Sequence, residues 1–156
     1  MPSGSQRLMT APTRSKLALT ELRELIHGIY PQVLTDRGLA AAAEEAADRS
    51  PVPVDVRLRL DRRLPQAVEV TAYFVITEAL ANIAKHSKAG RAWIAGALTG
   101  DVLALEIGDD GVGGADVTRG SGLSGLTDRV AVMGGTVSMS SPPGGPTSLR
   151  AKLPCR

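Results

Sequence analysis

The segment that follows Pro65 has the longest run of regular hydrophobic periodicity in the chain, and it constrains the fold more than any other feature. Proline suits the first turn of a helix, and apolar residues then recur every three or four positions to about Ser87. The stripe consists of Val68, Ala72, Val75, Ala79 and Ile83. We therefore predict a long helix that faces the core with this stripe.

Strand patterns predict what the helix packs against. Residues 54–61 alternate apolar and charged side chains, which indicates one buried and one solvent-exposed face, and we expect this strand to pair antiparallel. Residues 91–98 and 102–108 predict one hairpin, and residues 136–140 and 147–153 predict another. These segments together predict a single sheet.

Three further helices are predicted at residues 14–29, 38–49 and 123–133. Helices and hairpins do not alternate regularly, which argues against a doubly wound parallel sheet. We predict an α+β fold, a two-layer α/β sandwich in which helices pack on one face of a mixed, mostly antiparallel sheet. Residues 1–13 are polar and predict a disordered tail rather than a signal peptide.

Composition excludes several classes of function. The formal net charge is only +2, which argues against a nucleic-acid partner. Cys155 is the single cysteine, so an internal disulfide and a cysteine-based zinc site are excluded, and a cytoplasmic location is the simpler expectation. No run of 18 apolar residues is present, so we expect no direct membrane contact from this chain.

Polar residues on the long helix are the first candidates for chemistry. Glu78, Asn82 and His86 are spaced by four residues. Lys85 joins them at the seventh position after Glu78, so α-helical geometry places all four on one stripe beside the apolar one. An asparagine in the middle of a helix slightly destabilises it. A solvent-exposed polar face without a function is the alternative, and the spacing alone leaves both open.

A second candidate site lies where the strand at 102–108 ends. Asp109 and Asp110 come directly after it, and Gly111 and Gly113 follow. The acids are therefore held at the end of the sheet, while the backbone beyond them can adopt positive φ. A carboxylate in this position can accept a hydrogen bond from an exocyclic amine such as N6 of adenine. The alternative is a tight surface turn, for which Asp-Gly is common.

The third candidate is a glycine-rich segment, Gly120-Ser121-Gly122-Leu123-Ser124-Gly125, that runs into a helix. Backbone N–H groups in such a loop, with a helix N-terminus behind them, bind phosphate oxygens. The letters also fit the dinucleotide pattern G-x-G-x-x-G. That pattern requires an apolar strand directly before it and an acidic residue about 20 positions later, and neither is present. We therefore reject this match, and a nicotinamide-dependent oxidoreductase is only a distant third alternative, which failure to bind NAD would remove.

In this order and spacing the three clusters resemble the N, G1 and G2 boxes of the gyrase, heat-shock chaperone, histidine kinase and mismatch-repair ATPase superfamily. The resemblance covers about residues 16–154 and implies a Bergerat-type ATP-binding fold. Residues 21–39 are similar to the junction between the dimerisation helix and the ATP-binding domain in sensor kinases that pair with LuxR-type response regulators. Residues 14–30 would be a remnant of the second dimerisation helix, and residues 31–156 the ATP-binding catalytic domain.

The resemblance implies a role for each matching residue. Asn82 would bind Mg²⁺ through its amide oxygen, and Glu78 would be the catalytic residue that orients or deprotonates the attacking group. Lys85 and His86 would contact phosphate oxygens, and Asp109 would bind the adenine amine. The other residues expected to bind ATP are Gly111, Gly113, Gly120, Gly122, Leu123 and Thr147. ATP and Mg²⁺ are the expected cofactors.

Two departures from the family pattern shape the predicted function. The phosphate-accepting histidine of the family is followed by an acidic residue, whereas His27 is followed by Gly28 and His86 belongs to the N box. Pro146 stands where the family usually has glycine, and it removes a backbone donor beside Thr147.

We therefore expect the catalytic domain of a two-component sensor histidine kinase, which donates the γ-phosphoryl group of ATP to a histidine on a dimerisation domain absent from this chain. By itself the chain should not autophosphorylate, and one short helix favours a monomer or a weak dimer. Expected partners are that dimerisation domain and a LuxR-type response regulator downstream. A non-catalytic nucleotide-binding regulatory module and an anti-sigma-factor-type serine kinase are the alternatives.

Overall fold

The structure is a computed structural model that describes residues 31–114 and 121–156. Its elements, in chain order, are α1 (Gln32–Arg37), α2 (Leu39–Asp48), β1 (Val54–Arg59), α3 (Gln66–Asn82), a π-helical turn (Ile83–Ser87), β2 (Ala92–Thr99), β3 (Val102–Asp109), α4 (Ser121–Val132), β4 (Thr136–Ser140) and β5 (Thr147–Pro154). Each helix and strand predicted within these ranges is present. The predicted tail at 1–13, the helix at 14–29 and Gly120 lie outside the described residues.

The five strands form one sheet in the order β1-β2-β3-β5-β4. The pairs β2–β3, β3–β5 and β4–β5 are antiparallel, so the sheet is mixed and mostly antiparallel as predicted. The antiparallel pairing predicted for β1 is wrong, because β1 pairs parallel with β2. The two strands are joined through α3, and a crossover connection of this kind is what parallel neighbours require.

The hydrophobic core lies between α3 and the sheet. The predicted apolar stripe of α3 is at most 6% exposed, and α3 contacts both β3 and β5. Inward-facing residues of the sheet complete the core: Ile94, Leu103, Leu105, Ile107, Leu149 and Leu153. By length and composition alone, the run Gln66–His86 could cross a membrane. Half of it is buried within the fold, however, which is the situation of a core helix.

An ion pair ties α1 to the start of α3. Glu69 is 4% exposed, and its carboxylate accepts hydrogen bonds from Arg63 at 2.8 Å (Nη2) and 3.0 Å (Nε). The N–H of Leu64 donates to the same carboxylate at 3.3 Å. Arg63 Nη2 also donates to the backbone carbonyls of Leu34 and Thr35 in α1, each at 3.2 Å. These contacts therefore fix α1 relative to α3, the helix that carries Glu78 and Asn82.

The opposite face of the sheet carries a polar ladder. The indole N–H of Trp93 donates to Glu106 at 3.0 Å, and Arg150 Nε donates to the other carboxylate oxygen at 3.1 Å. Gly108 lies directly beneath the indole, because a Cβ built there would come within 2.5 Å of the ring atom Cε2. These contacts therefore hold Trp93, Glu106 and Arg150 in fixed positions on a face of the sheet where many side chains are exposed.

Candidate functional site

The candidate polar residues of the predicted long helix lie in two consecutive segments, an α-helix and a π-helical turn. Glu78 and Asn82 lie one turn apart on α3, and both are half-buried. From Ile83 the chain forms a π-helical turn, in which Lys85 and His86 are exposed. The predicted common stripe therefore holds only as far as Asn82, because a π-helical turn has more residues than an α-helical one. Single π turns within helices frequently mark functional sites.

Asp109, the last residue of β3, is 1% exposed. Its Oδ1 accepts the N–H of Gly111 at 2.8 Å. Burial raises the pKa of Asp109 above its usual value; the Gly111 hydrogen bond acts against this shift and the charge of Asp110 adds to it. A carboxylate offers about four acceptor positions, so one hydrogen bond leaves capacity for a ligand amine.

Residues 111–114, here called the glycine loop, follow Asp109. Gly113 and Gly114 have φ of +68° and +76°, which confirms the predicted left-handed backbone at this point. Gly111 does not adopt positive φ: it is buried, and its role is the N–H that it donates to Asp109. Glycine is required at position 113 for a second reason besides its positive φ, because a Cβ there would collide with the carbonyl oxygen of Pro142.

The turn between β4 and β5, residues 141–146, packs directly on the glycine loop. Gly144 N–H donates to the carbonyl of Val112 at 2.7 Å, and Gly114 N–H donates to the carbonyl of Ser141 at 2.9 Å. A Cβ on Gly145 would collide with the carbonyl oxygen of Gly111. The sequence predicted this turn as a hairpin connection and related Pro146 to Thr147, but it did not predict that the turn packs on the glycine loop. Its adjacent glycines were the available signal.

Thr147, at the start of β5, is brought beside the buried acid. It is the register partner of Asp109 in the β3–β5 pair. Its hydroxyl lies 2.7 Å from the hydroxyl of Ser141, and the two share a hydrogen bond. The register thus assembles Asp109, the glycine loop and Thr147 at one end of the sheet, where the π turn also contacts β3.

The predicted phosphate loop is only partly described. Gly122 and Leu123 lie in the first turn of α4. The helix itself is anchored on α3, because the guanidinium carbon of Arg129 lies 4.5 Å from the centroid of the Phe74 ring. The helix that follows the glycine-rich segment is thereby attached to the helix that carries Glu78 and Asn82.

Comparison with known proteins agrees with this geometry. The profile of the family described as "Histidine kinase-, DNA gyrase B-, and HSP90-like ATPase" matches residues 67–156. The chain is 29% identical over 143 residues to the sensor histidine kinase LiaS of Bacillus subtilis, covering 88% of this chain and 40% of that protein. It is 32% identical to the histidine-protein kinase/phosphatase UhpB of Salmonella typhimurium, covering 86% of this chain and 28% of that one.

The ATP binding domain of PrrB from Mycobacterium tuberculosis has a similar fold. The TM-score is 0.57 at 25% sequence identity, covering 76% of this chain and 91% of that domain. Two-layer architecture, buried acid and glycine loop therefore define an ATP-binding α/β sandwich domain. The chain belongs to the histidine kinase-, DNA gyrase B- and HSP90-like ATPase family, and within it to the ATP-binding catalytic domains of sensor histidine kinases. The predicted family and fold class are confirmed.

Proposed function

We propose that this chain binds Mg-ATP between α3, the π turn, the glycine loop and the start of α4, and that it transfers the γ-phosphoryl group to a histidine of a dimerisation domain. The observation that supports this most strongly is the buried carboxylate of Asp109, which has acceptor capacity beyond its hydrogen bond to Gly111. A buried carboxyl group needs hydrogen-bond partners, and the amine of adenine provides one in addition to the Gly111 N–H.

Adenine would lie at the end of β3. Asp109 accepts a hydrogen bond from N6, while the Gly111 N–H keeps the carboxylate in place. Gly113 would contribute through the backbone of the glycine loop, which can pack on the turn at residues 141–146 because position 113 has no Cβ. The hydroxyl of Thr147, on the neighbouring strand, supplies a further polar contact at this end of the sheet.

The donors on α3 fit a magnesium ion that arrives with the triphosphate. Mg²⁺ is usually held by one or two protein oxygens, and substrate phosphates and waters complete its coordination. Asn82 offers an amide oxygen and Glu78 a carboxylate one turn away, both half-buried. Among the residues that the structure describes, His, Cys, Asp and Glu form no cluster of three that could hold a metal by themselves. The ion would supply neutralisation of charge on the phosphate oxygens.

Phosphoryl transfer needs mainly positioning and charge compensation. Lys85 and His86 are exposed on the π turn, where they can reach phosphate oxygens. Gly120, Gly122 and Leu123 would close over the phosphates from the N-terminal end of α4. Glu78 orients the incoming imidazole. The unprotonated nitrogen of that imidazole forms a P–N bond to the γ-phosphorus with its lone pair, the bond to the bridging oxygen breaks and its electron pair leaves on ADP, and Glu78 accepts the proton of the other ring nitrogen.

The acceptor and the downstream partner are part of this proposal. The chain spans 40% of the length of LiaS and 28% of UhpB, so the activity of a whole protein extends beyond what these residues supply. We infer a histidine-bearing dimerisation domain as the acceptor, a LuxR-type response regulator as the next partner, and a cytoplasmic location.

Substitution of Asn82 tests the proposal. Binding of a fluorescent ATP analogue should be Mg²⁺-dependent in the wild-type protein, and Asn82→Ala should weaken it by at least about tenfold, the value of one charge-assisted contact. Gln66→Ala removes an exposed amide from the other end of α3 and is the matched control. Equal affinity for all three proteins, or binding indifferent to EDTA, would contradict the proposal.

Transfer itself is tested by mixing the chain with an acceptor-bearing dimerisation domain and ATP labelled in the γ-position. Acid-labile, base-stable label on the acceptor histidine supports the kinase. Nucleotide binding without transfer supports the regulatory-module alternative, and acid-stable label on serine supports the serine-kinase alternative.

A further inference from the structure

Asp110 makes contacts that none of the roles above uses. Its Oδ1 accepts hydrogen bonds from two consecutive backbone N–H groups, that of Gly90 at 2.9 Å and that of Arg91 at 3.0 Å. Its own backbone N–H donates to the carbonyl of Arg91 at 3.1 Å. Three hydrogen bonds therefore join this single residue to the two residues that precede β2.

The segment held by Asp110 is the exit of the π turn. Lys88 ends that turn with a left-handed backbone, at φ +53°. The chain then reaches Gly90 and Arg91 directly, and β2 begins at Ala92, whose register partner is Asp109. Asp110 thus extends the β2–β3 pairing by one residue beyond Asp109, with its backbone N–H on Arg91 and with its side chain on Gly90 and Arg91.

This contact connects the two halves of the proposed nucleotide site. On one side of Asp110 in sequence is Asp109, the residue proposed to bind adenine. The hydrogen-bond partners of Asp110 are Gly90 and Arg91. Lys85 and His86, which are proposed to contact the phosphates, precede these partners by four to six residues. The distance between base and phosphate contacts therefore depends on how firmly the exit of the π turn is held to the end of β3.

We propose that Asp110 is a positioning residue, which sets the π turn at the distance from Asp109 that matches a nucleoside triphosphate rather than a nucleoside. The inference rests on the proposed function and deepens it. Asp110 is exposed, and it acts through its acceptor oxygen on Gly90 and Arg91. Its loss should weaken recognition of the triphosphate and leave recognition of adenosine intact.

The test compares Asp110→Ala with Asp110→Asn. Both variants lose the negative charge, so repulsion of phosphates changes equally in the two, but only asparagine keeps an acceptor oxygen. We expect Asp110→Ala to bind Mg-ATP about tenfold more weakly than Asp110→Asn, since two exposed hydrogen bonds together contribute about this much. Adenosine affinity should agree within about twofold, because the contact to Asp109 does not involve the π turn.

Asp101→Ala is the matched control, because Asp101 is an exposed aspartate at the other end of the same hairpin. Equal ATP affinity of the Ala and Asn variants of Asp110, or an equal loss for ATP and adenosine, would overturn the inference.

A second measurement separates this inference from the proposed function. Amide hydrogen exchange at Gly90 and Arg91 should be faster in Asp110→Ala than in Asp110→Asn, with or without nucleotide. If the wild-type protein binds neither ATP nor adenosine, the proposed function fails and the match to a triphosphate fails with it, whereas this difference in exchange then shows separately that Asp110 holds the exit of the π turn. If amide exchange at Gly90 and Arg91 is the same in the two Asp110 variants, the positioning role is overturned, whatever the nucleotide affinities are.

Discussion

Asp109 on β3 is the register partner of Thr147 on the neighbouring strand β5, so a buried carboxylate and a hydroxyl-bearing residue lie on adjacent strands at one end of the sheet. Asp109→Asn should keep the hydrogen bond from Gly111 through its amide oxygen and lose the acceptor for adenine. We expect the Kd for Mg-ATP to rise about ten- to a hundredfold, the range of a hydrogen bond to a charged group. Thr99→Val, on an exposed strand end, is a control; an unchanged Kd in Asp109→Asn would contradict the role.

The same substitution should alter how stability depends on pH. Burial raises the pKa of Asp109 from its model-compound value of 3.8, so between that value and the raised pKa the folded protein holds its proton more tightly than the unfolded chain. Stability of the wild-type protein should therefore fall as pH rises through this window. Asp109→Asn lacks this contribution, so its free energy of unfolding should increase relative to wild type over the same window. Urea titrations at several pH values measure it, and a relative decrease would show that hydrogen bonds to the carboxylate outweigh its burial.

Two neighbouring glycines provide a matched pair for testing the glycine loop. Gly113→Ala combines left-handed strain with a collision against the hairpin turn, and we expect it to lower the free energy of unfolding by about 2–4 kcal/mol. Gly114 has a similarly positive φ but open space around an added Cβ, so for Gly114→Ala a loss of about 1 kcal/mol in the free energy of unfolding is expected. Urea unfolding of both variants measures the difference, and equal losses would show that the contact with the turn is unimportant.

Glu69 should matter for stability rather than for nucleotide chemistry. Glu69→Ala leaves the buried N–H of Leu64 without its acceptor, and it should lower the free energy of unfolding by about 1–3 kcal/mol. Glu69→Gln keeps an acceptor and should cost less. Glu45→Ala, in an exposed ion pair with Arg49, should change the free energy by less than about 0.5 kcal/mol. If Glu69→Ala behaves like Glu45→Ala in chemical denaturation, the ion pair with Arg63 does not hold α1 in place.

Trp93 is the single tryptophan and gives a direct optical readout of the open sheet face. Gly108→Ala places a methyl group against the indole, so the ring must move away from Glu106. We expect a red-shifted emission maximum and a loss of about 1–3 kcal/mol in the free energy of unfolding. Gly125→Ala, with open space around its Cβ, should leave the emission unchanged. An unshifted spectrum in Gly108→Ala would mean that the indole does not rest on Gly108.

Much of this fold could be predicted from the sequence because its signals are local. The apolar stripe of α3 recurs at helical spacing, and the stretch around Gly100 lies between two alternating strands. The three polar and glycine clusters identified the family because their order and spacing were informative together, although each alone had an ordinary structural explanation.

Other features depend on partners that periodicity does not report. The alternation of β1 is the same whether its neighbour runs parallel or antiparallel, because it reflects one open and one covered face. A π turn changes the helical phase of Lys85 and His86 without a residue pattern that announces it. Helix α1, with six residues, is too short for a periodic signal.

Side-chain to backbone contacts were the hardest to foresee. Asp110 looked equivalent to Asp109 as a carboxylate at a strand end, and only the structure shows that one is buried and the other holds Gly90 and Arg91. Likewise, the adjacent glycines of residues 141–146 indicate a tight turn, but they do not specify that it packs on a loop about 30 positions earlier in the chain.

The close packing of the glycine loop on the hairpin turn makes the C-terminal strands a support for the proposed nucleotide site. A fragment that ends before β4 would keep Asn82 and Asp109 but lose the surface on which Gly113 rests. In the whole domain, nucleotide binding should therefore be thermodynamically linked to the folding of β4 and β5. Bound nucleotide should protect these two strands against proteolysis, and cleavage within them should release the nucleotide.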